Sequence, residues 1–461
     1  MAKCVSVDLG QIIEGRTLNF PIHDPRGVLL LAAGTVFTGE HRQQLADRNV
    51  VNVLMDEADV ATATRSQNRE PDERELAQLE VKLNERLDAL IRSGMLTVIN
   101  NGPALLNNVT RHVTKGYDRR LKDQLLGNHA EGADQVDKLM KTAVAGTEMD
   151  GRQIGNVATV CMQGMLADID SALGVCSQKN NDPSLSEHAL NVALMGIAIG
   201  IDMGFDAKNV RTIGISGLLQ DLGMVRVPER IRNARRRLTA SERLDIQRHA
   251  IHTANILELV NGLPALVQMV AYQVHERPDG SGYPRGRDKK CIHLFARILH
   301  VADSYLAMTS QRPFRPPLMP YAAMECLLRQ AKKNQVDASV VSSLLRILSL
   351  FPIGSHVRLS DGRVAQVIRA NPHCFARPIV AIVDDASSNS DDVHDEVAGL
   401  DLCGSELSVI QALPTPGSEQ IPLSAEIANW SVRAAWKPAE INEQVPQAES
   451  EPRNEALAAT P

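Results

Sequence analysis

His275-Glu276-Arg277-Pro278-Asp279-Gly280-Ser281-Gly282-Tyr283-Pro284 is the stretch that decides the reading of this chain. A His-Glu pair stands directly before a segment dense in turn residues. Asp-Gly and Ser-Gly supply the backbone freedom of tight turns, and Pro284 pushes Tyr283 toward an extended conformation. Working outward, Leu218-Leu219-Gln220-Asp221-Leu222-Gly223 lies upstream and Val301-Ala302-Asp303 downstream.

The composition narrows the possibilities. A chain of 461 residues has room for two to four domains. A hydrophobic fraction of 44% with only 3% aromatics puts the apolar load on Leu, Ala, Val and Ile, which suits helical packing. The net charge of −6 lacks the basic field that general nucleic-acid binding requires. Seven cysteines, none spaced as C-x-x-C, argue for reduced thiols rather than a disulfide framework or zinc knuckle. No secretory signal is visible after Met1, and the apolar run from Ala189 to Ile201 is too short to span a bilayer. The expectation is a soluble cytoplasmic protein without a membrane segment.

Residues 1–60 read as a small β-rich module. Asp24-Pro25-Arg26-Gly27 precedes Val28-Leu29-Leu30-Leu31, and Asn49 to Leu54 is a further strand candidate. Residues 61–169 form a helical linker region, polar and charged over 61–73. From Glu75 onward, Leu76, Leu79, Leu83, Leu87, Leu90 and Ile91 recur at helical steps. That stripe suits either an oligomerisation seam, hence a homodimer, or a packed linker, and the packed linker is the safer reading. Breaks are expected at Asn100-Asn101-Gly102-Pro103 and at Gly146.

Residues 170–348 hold the motifs. Asp182-Pro183 precedes a long helix carrying His188. Thr239-Ala240-Ser241-Glu242 fits a capping box opening the helix that carries His249. Pro320 to Leu350 reads as two closing helices. Residues 349–412 change to short strands, with Asp361-Gly362 as a hairpin turn, and read as a small β-barrel. Residues 413–461, rich in Pro, Glu, Ala and Ser, read as a mostly disordered tail in which Trp430 and Trp436 mark a docking segment.

In order and spacing, these segments resemble the HD-GYP domain, the branch of the HD metal-dependent phosphohydrolases that degrades the bacterial second messenger cyclic di-GMP. The resemblance implies a mainly α fold: an all-helical HD-type domain flanked by the small N-terminal β-rich module and the small C-terminal β-barrel. It also implies a divalent metal centre, Fe or Mn, held by His188, Asp221, His249, His275 and Asp303, with Asp221 as the shared catalytic carboxylate. The chain departs from the family at named positions. Gln220 replaces the His of the name-giving dyad, Val274 replaces the first of two adjacent ligand histidines, and Met224 stands in place of a Lys. Each of the two implied metal sites therefore lacks one imidazole. His188, Asp221 and Asp303 remain in one, and Asp221, His249 and His275 in the other, a set that suits iron or another divalent metal.

Arg285, Arg287, Lys289 and Lys290 follow the turn and are candidates to hold the two phosphates of a cyclic dinucleotide, against the plainer reading of a solvated loop. Gly282, Tyr283 and Pro284 form the motif loop, which also suits contact with a signalling partner. His252 reads as a neighbour on a helix face. His293, His300, His356, His373 and His394 read as surface or structural. Two functions are expected to compete: a phosphodiesterase opening cyclic di-GMP, with hydrolysis impaired by the lost imidazoles, or an inactive cyclic dinucleotide-binding or protein-interaction module. The absent dyad His, the broken His pair and the Lys-to-Met change favour impairment.

Overall fold

A computed structural model describes residues 4–415 and 420, apart from 13–15, 49, 57–58, 61–72, 146–148, 178–183, 313–314 and 384–397. Most of the charged linker, Asp182-Pro183, Gly146 and the tail with both tryptophans lie outside the described residues.

The N-terminal module is a four-stranded antiparallel sheet, in the order β1-β4-β2-β3, of β1 (Cys4–Asp8), β2 (Ile22–His23), β3 (Leu29–Leu31) and β4 (Asn52–Asp56). Alternation along β4 turns Val53 and Met55 inward against Leu18, Ile22 and Phe37. Helix α1 (Gly39–Asp47) closes the module and starts at Thr38, whose side chain accepts a hydrogen bond from the His41 amide.

The long Leu-striped segment forms α2 (Glu73–Arg92). Leu83 and Leu87 are buried against Ile251, Met269 and Tyr272, so this part of the stripe is used within the chain as a packed linker. The Tyr272 hydroxyl donates to Asn84 Oδ1 at 3.0 Å across the same contact.

The helical domain follows: α3 (Arg119–Ala145), α4 (Gly151–Ala167), α5 (Ile169–Ser177), α6 (Leu185–Asp202), α7 (Ala207–Leu219), α8 (Glu229–Arg232), α9 (Ala240–Gln247), α10 (His249–Leu257), α11 (Ala265–Gln273), α12 (Leu294–Thr309), α13 (Pro320–Lys332) and α14 (Ala338–Leu348). Helix α6 is apolar all round, which a soluble helix tolerates only when others surround it. It is buried almost throughout from His188 to Ile201, against α3, α4, α7, α12 and α14. No helix among the described residues is long and apolar enough to cross a membrane.

The C-terminal module is a five-stranded antiparallel sheet in the order β8-β7-β6-β5-β9, made of β5 (His356–Leu359), β6 (Val364–Arg369), β7 (Ile379–Ile382), β8 (Leu400–Asp401) and β9 (Val409–Leu413). Gly362 takes the positive φ of 93° at the predicted hairpin turn. Among the described residues the pairings run from β8 to β9 without closing into the expected barrel. Cys374 and Cys403 are disulfide-bonded within this module, where scattered cysteines predicted reduced thiols.

One buried charge cluster joins this sheet to the helices. Arg369, only 1% exposed, places Nη1 2.9 Å from Asp168 Oδ1 and 3.1 Å from Asp170 Oδ2, and Nη2 2.9 Å from Asp168 Oδ2. Its Nε donates to the Lys115 carbonyl at 2.7 Å, and its guanidinium lies 5.0 Å from the Tyr117 ring centre. Burial pushes the Asp168 carboxyl up, but Arg369 outweighs it and holds the group below the usual carboxylate range. Removing one member of such a buried network leaves the others as unpaired charges. Arg369→Ala is therefore expected to destabilise the protein by about 3–5 kcal/mol. A urea-unfolding transition unchanged from wild type would show that the cluster contributes nothing.

Candidate metal centre

The five expected ligands arrive from separate elements. His188 lies in the first turn of α6, which opens at a capping box: Ser184 Oγ accepts from the Glu187 amide, and the Glu187 carboxylate accepts from the Ser184 amide. Asp221 stands just beyond α7, before a short 3₁₀ turn. The capping box at Thr239 opens α9, and α10 begins with His249 itself after Arg248, so His249 sits one helix later than the sequence suggests. His275 follows the end of α11, and Asp303 lies within α12.

Close backbone approach fixes two of these ligands. A Cβ on Gly223 would stand 2.1 Å from the His249 carbonyl oxygen and 2.5 Å from the Thr253 nitrogen, so only glycine allows α10 this near the Asp221 turn. The Gly223 amide donates to Thr253 Oγ1 at 2.8 Å, and Thr253 Oγ1 donates to the Gln220 carbonyl at 3.0 Å. These bonds hold α10 against the turn and set His249 facing Asp221.

The ligand atoms fall into two groups that share Asp221: Asp221, His249 and His275, and His188, Asp221 and Asp303. Within each, the ligand atoms lie within 4.8 Å of one another. His188 Nε2 donates to Asp303 Oδ1 at 2.9 Å and lies 4.0 Å from Asp221 Oδ2. His275 Nε2 is 3.7 Å from Asp221 Oδ1, and its Nδ1 is 3.9 Å from Asp303 Oδ2.

His249 is the most telling member. Its Nδ1 is 2.6 Å from the Ile246 carbonyl, which can only accept, so Nδ1 carries the proton. Burial first, then the neighbouring His275, lowers the ring to about 4, so it is neutral near pH 7. Nε2 therefore presents a lone pair toward Asp221 Oδ1, 3.3 Å away, and makes no hydrogen bond. Two lone pairs facing each other in a buried site repel unless a cation lies between them. The donors are imidazole nitrogen and carboxylate oxygen, the set that suits a borderline divalent ion.

The carboxylates are ready for such an ion. Burial pushes Asp221 up, but His275, His249 and His188 outweigh it and hold it well below the usual carboxylate range. Asp303 is likewise lowered against the effect of burial, chiefly by the hydrogen bond from His188. For His275, burial lowers the ring, while attraction to Asp221 and Asp303 raises it further, leaving a net rise.

The Gly-rich loop supports His275. The Tyr283 ring stacks on the His275 ring, with centres 4.9 Å apart and planes 14° apart, and stands edge-on to His249. The Tyr283 amide donates to the His275 carbonyl at 3.1 Å. A Cβ on Gly282 would meet the Arg277 nitrogen at 2.3 Å and the His275 carbonyl oxygen at 2.5 Å, so the loop folds this tightly only with glycine there. The Tyr283-Pro284 peptide bond is cis. The buried Glu276 carboxylate then ties the return of the loop, accepting from the Arg285 and Arg287 amides, both at 2.8 Å.

The four basic groups after the turn are not equivalent. Arg287 is paired with Asp88 of α2, and Lys289 Nζ lies 3.1 Å from the buried Asp337. Arg285 Nη1 is 4.0 Å from Glu80, and Lys290 is exposed. Arg287 and Lys289 thus act as tethers, because a carboxylate already neutralises each. Arg297 also pairs with Asp337, and His293 is a buried cap whose Nδ1 accepts from the Phe295 amide at 3.0 Å.

Both positions that lack the family's imidazole are fully buried. Neither amide atom of the Gln220 side chain has a hydrogen-bond partner among the described residues, and Val274 is sealed in the core. Two groups near the centre were given no site role from the sequence, Arg277 left unassigned and His300 read as surface or structural. Arg277 is half-buried, interacts with His275 and lies inside the quoted loop motif itself. His300 precedes Asp303 by one helical turn and is 6% exposed, with both ring nitrogens unpaired among the described residues. It shares a helix face with Asp303, and burial without a partner is what sets it apart.

Residues 161–340 match the family model described as HD domain. A cyclic di-GMP phosphodiesterase of Pseudomonas aeruginosa is 30% identical over 57% of this chain and 63% of its own length. A 3'3'-cGAMP-specific phosphodiesterase of Vibrio cholerae is 30% identical over 35% of this chain and 37% of its own. A cyclic di-GMP phosphodiesterase of Thermotoga maritima is 34% identical over 30% of this chain and 37% of its own. The chain thus spans less than two thirds of the length of each of these relatives. With the helical domain, the motif order and these relatives in agreement, residues 161–340 are an HD domain similar to those of HD-GYP-type cyclic di-GMP phosphodiesterases.

Proposed function

We propose that this chain is a cyclic di-GMP signalling protein whose centre at His188, Asp221, His249, His275 and Asp303 holds a divalent metal, Fe or Mn. Hydrolysis of cyclic di-GMP runs below that of a relative with the full ligand set. The observation that carries this reading is the neutral His249 lone pair aimed at the ionised Asp221 carboxylate from 3.3 Å inside the fold. When bound, the metal supplies Lewis-acid polarisation of the phosphodiester.

The chain's own residues do the rest. Asp221 is the catalytic carboxylate common to both ligand groups. Tyr283 and Glu276 hold His275 in place from outside the centre. Of the nearby cations, Arg277, Arg285 and Lys290 are the groups left to meet the phosphates, since Arg287 and Lys289 are engaged elsewhere. Arg grips a phosphate through two parallel N–H donors, a geometry that Lys lacks.

A second reading is a module that binds the dinucleotide or a protein without cleaving it, with Gly282-Tyr283-Pro284 as a contact surface. The burial of Gln220 and Val274 favours it, because neither position can recruit solvent in place of the lost imidazole.

Hydrolysis measured with Mn²⁺ or Fe²⁺ separates the two. Losing ligand support costs about 10–100-fold, so wild-type turnover is expected at least that far below an intact relative. Gln220→His and Val274→His made together should recover part of it. Wild-type turnover equal to an intact relative would show the missing imidazoles to be dispensable. Absent turnover with tight binding of cyclic di-GMP by calorimetry would select the second reading. In that assay, Arg277→Ala and Arg285→Ala should each weaken binding by roughly 1.5–3 kcal/mol if each makes one charge-assisted contact.

Metal affinity should also depend on pH with a defined sign. His249 is already neutral and both carboxylates are already ionised near pH 7, so neither needs to change protonation to bind metal. His275, raised above its ordinary value, must lose its proton. Mn²⁺ affinity is therefore expected to fall as pH drops through the raised value of His275, with close to one proton released per ion below it. Calorimetry in buffers of different ionisation enthalpy counts that proton. Affinity that stays flat between about pH 5 and 8 would remove His275 from the ligand set.

A further inference from the structure

Two histidines on α12 are buried, and they differ in one respect. His293 is used at the helix cap, its Nδ1 accepting from the Phe295 amide. His300 is 94% buried, taking its 6% exposure, and has no hydrogen-bond partner for either ring nitrogen among the described residues. The Val274 backbone lies beside the ring without forming a hydrogen bond of normal geometry. The charged groups acting on the ring are Arg277, His275 and Asp303, all at or beside the centre.

A buried polar group without a partner is unfavourable, so an idle imidazole in a packed core needs a reason. Geometry offers one. His300 and Asp303 are three residues apart on one helix and share a face. The group of Asp221, His249 and His275 lacks the imidazole that Val274 does not provide.

We propose that His300 supplies that imidazole, acting as a divalent-metal ligand alongside Asp221, His249 and His275. The inference rests on the metal-centre reading above. The ring nitrogens of His300 are not among the atoms within 4.8 Å of one another, so joining them takes a side-chain rotation. Rotation gives up no hydrogen bond of normal geometry, only the contact with the Val274 backbone. An imidazole from α12 would thus replace one from the end of α11, keeping the donor type while moving its origin along the chain.

Mn²⁺ titration of the full chain, followed by the EPR signal of free Mn²⁺, tests this on wild type, His300→Ala, His300→Leu, and His300→Ala combined with Val274→His. Both single variants are expected to weaken Mn²⁺ binding by about 10–100-fold. Val274→His should restore binding in the His300→Ala background. Thermal unfolding gives a second readout: the rise in Tm that Mn²⁺ produces in wild type should shrink in His300→Leu, whereas Tm in chelator stays close to wild type. Equal affinity and an equal Mn²⁺-dependent rise in all forms would make His300 a core residue and overturn the inference alone. Weakening that Val274→His fails to restore would assign His300 to fold support and overturn it too. No Mn²⁺ uptake by wild type would remove the metal-centre reading and the inference with it.

Discussion

The Asp221 carboxylate is the constraint around which the domain is arranged. It is buried and ionised, with three imidazoles within 4.0 Å. An isolated carboxylate cannot stay charged in such a place, because desolvation would drive it to the neutral form. Here α6, α10 and the end of α11 each deliver one nitrogen to it, and α12 adds a second carboxylate. The lack of side chain at Gly223 is part of the same requirement, since any Cβ would push α10 and His249 away from the turn. Packing of the helices and charge balance at one atom group are thus a single problem in this fold.

The outer parts of the chain bear on that centre through paired charges rather than apolar contact alone. Arg287 joins the motif loop to α2, Lys289 joins the segment after it to the head of α14 through Asp337, and Arg297 of α12 pairs with the same carboxylate. Such pairs carry little energy when exposed. Asp337 is buried, however, and two cations share it, so the loop has few alternative seats. The stack of Tyr283 on His275 then converts loop position into ring orientation. The Arg369 cluster plays the same part for the C-terminal sheet, fixing it to the start of α5.

Much of the fold was legible because its signals are local. The Leu steps of 83 and 87, the capping boxes at Ser184 and Thr239, and the Asp361-Gly362 turn each declare an element on their own. Thr239 also shows where local reading fails. The box opens a helix as expected, but the chain breaks at Arg248 so that α10 can dock on Gly223, a tertiary demand invisible in the capping pattern. The candidate ligands were legible as single residues in family order, whereas their convergence was not, since they come from five separated segments. The basic run after the turn misled for a related reason. Charge density was visible, but the partners that occupy Arg287 and Lys289 lie far away in sequence, at Asp88 and Asp337. His300 stayed hidden because its significance lies in what it lacks.

The two lost imidazoles of the family pattern gain their meaning from burial. On an exposed site, a lost ligand is replaced by water, and the remaining ones relax at little cost. Gln220 and Val274 are wholly enclosed, so the space they occupy is closed to solvent. The surviving nitrogens and carboxylates nevertheless keep a geometry that is unfavourable without a cation, with His249 Nε2 and His275 Nε2 both lacking a hydrogen bond. A domain kept only as a scaffold would be more stable with that cluster filled by apolar side chains, as buried ion pairs commonly are. Five polar groups in two sets sharing Asp221, in a core otherwise built largely of Leu, Ile, Val and Ala, are therefore what the proposed metal centre accounts for and a bare scaffold does not.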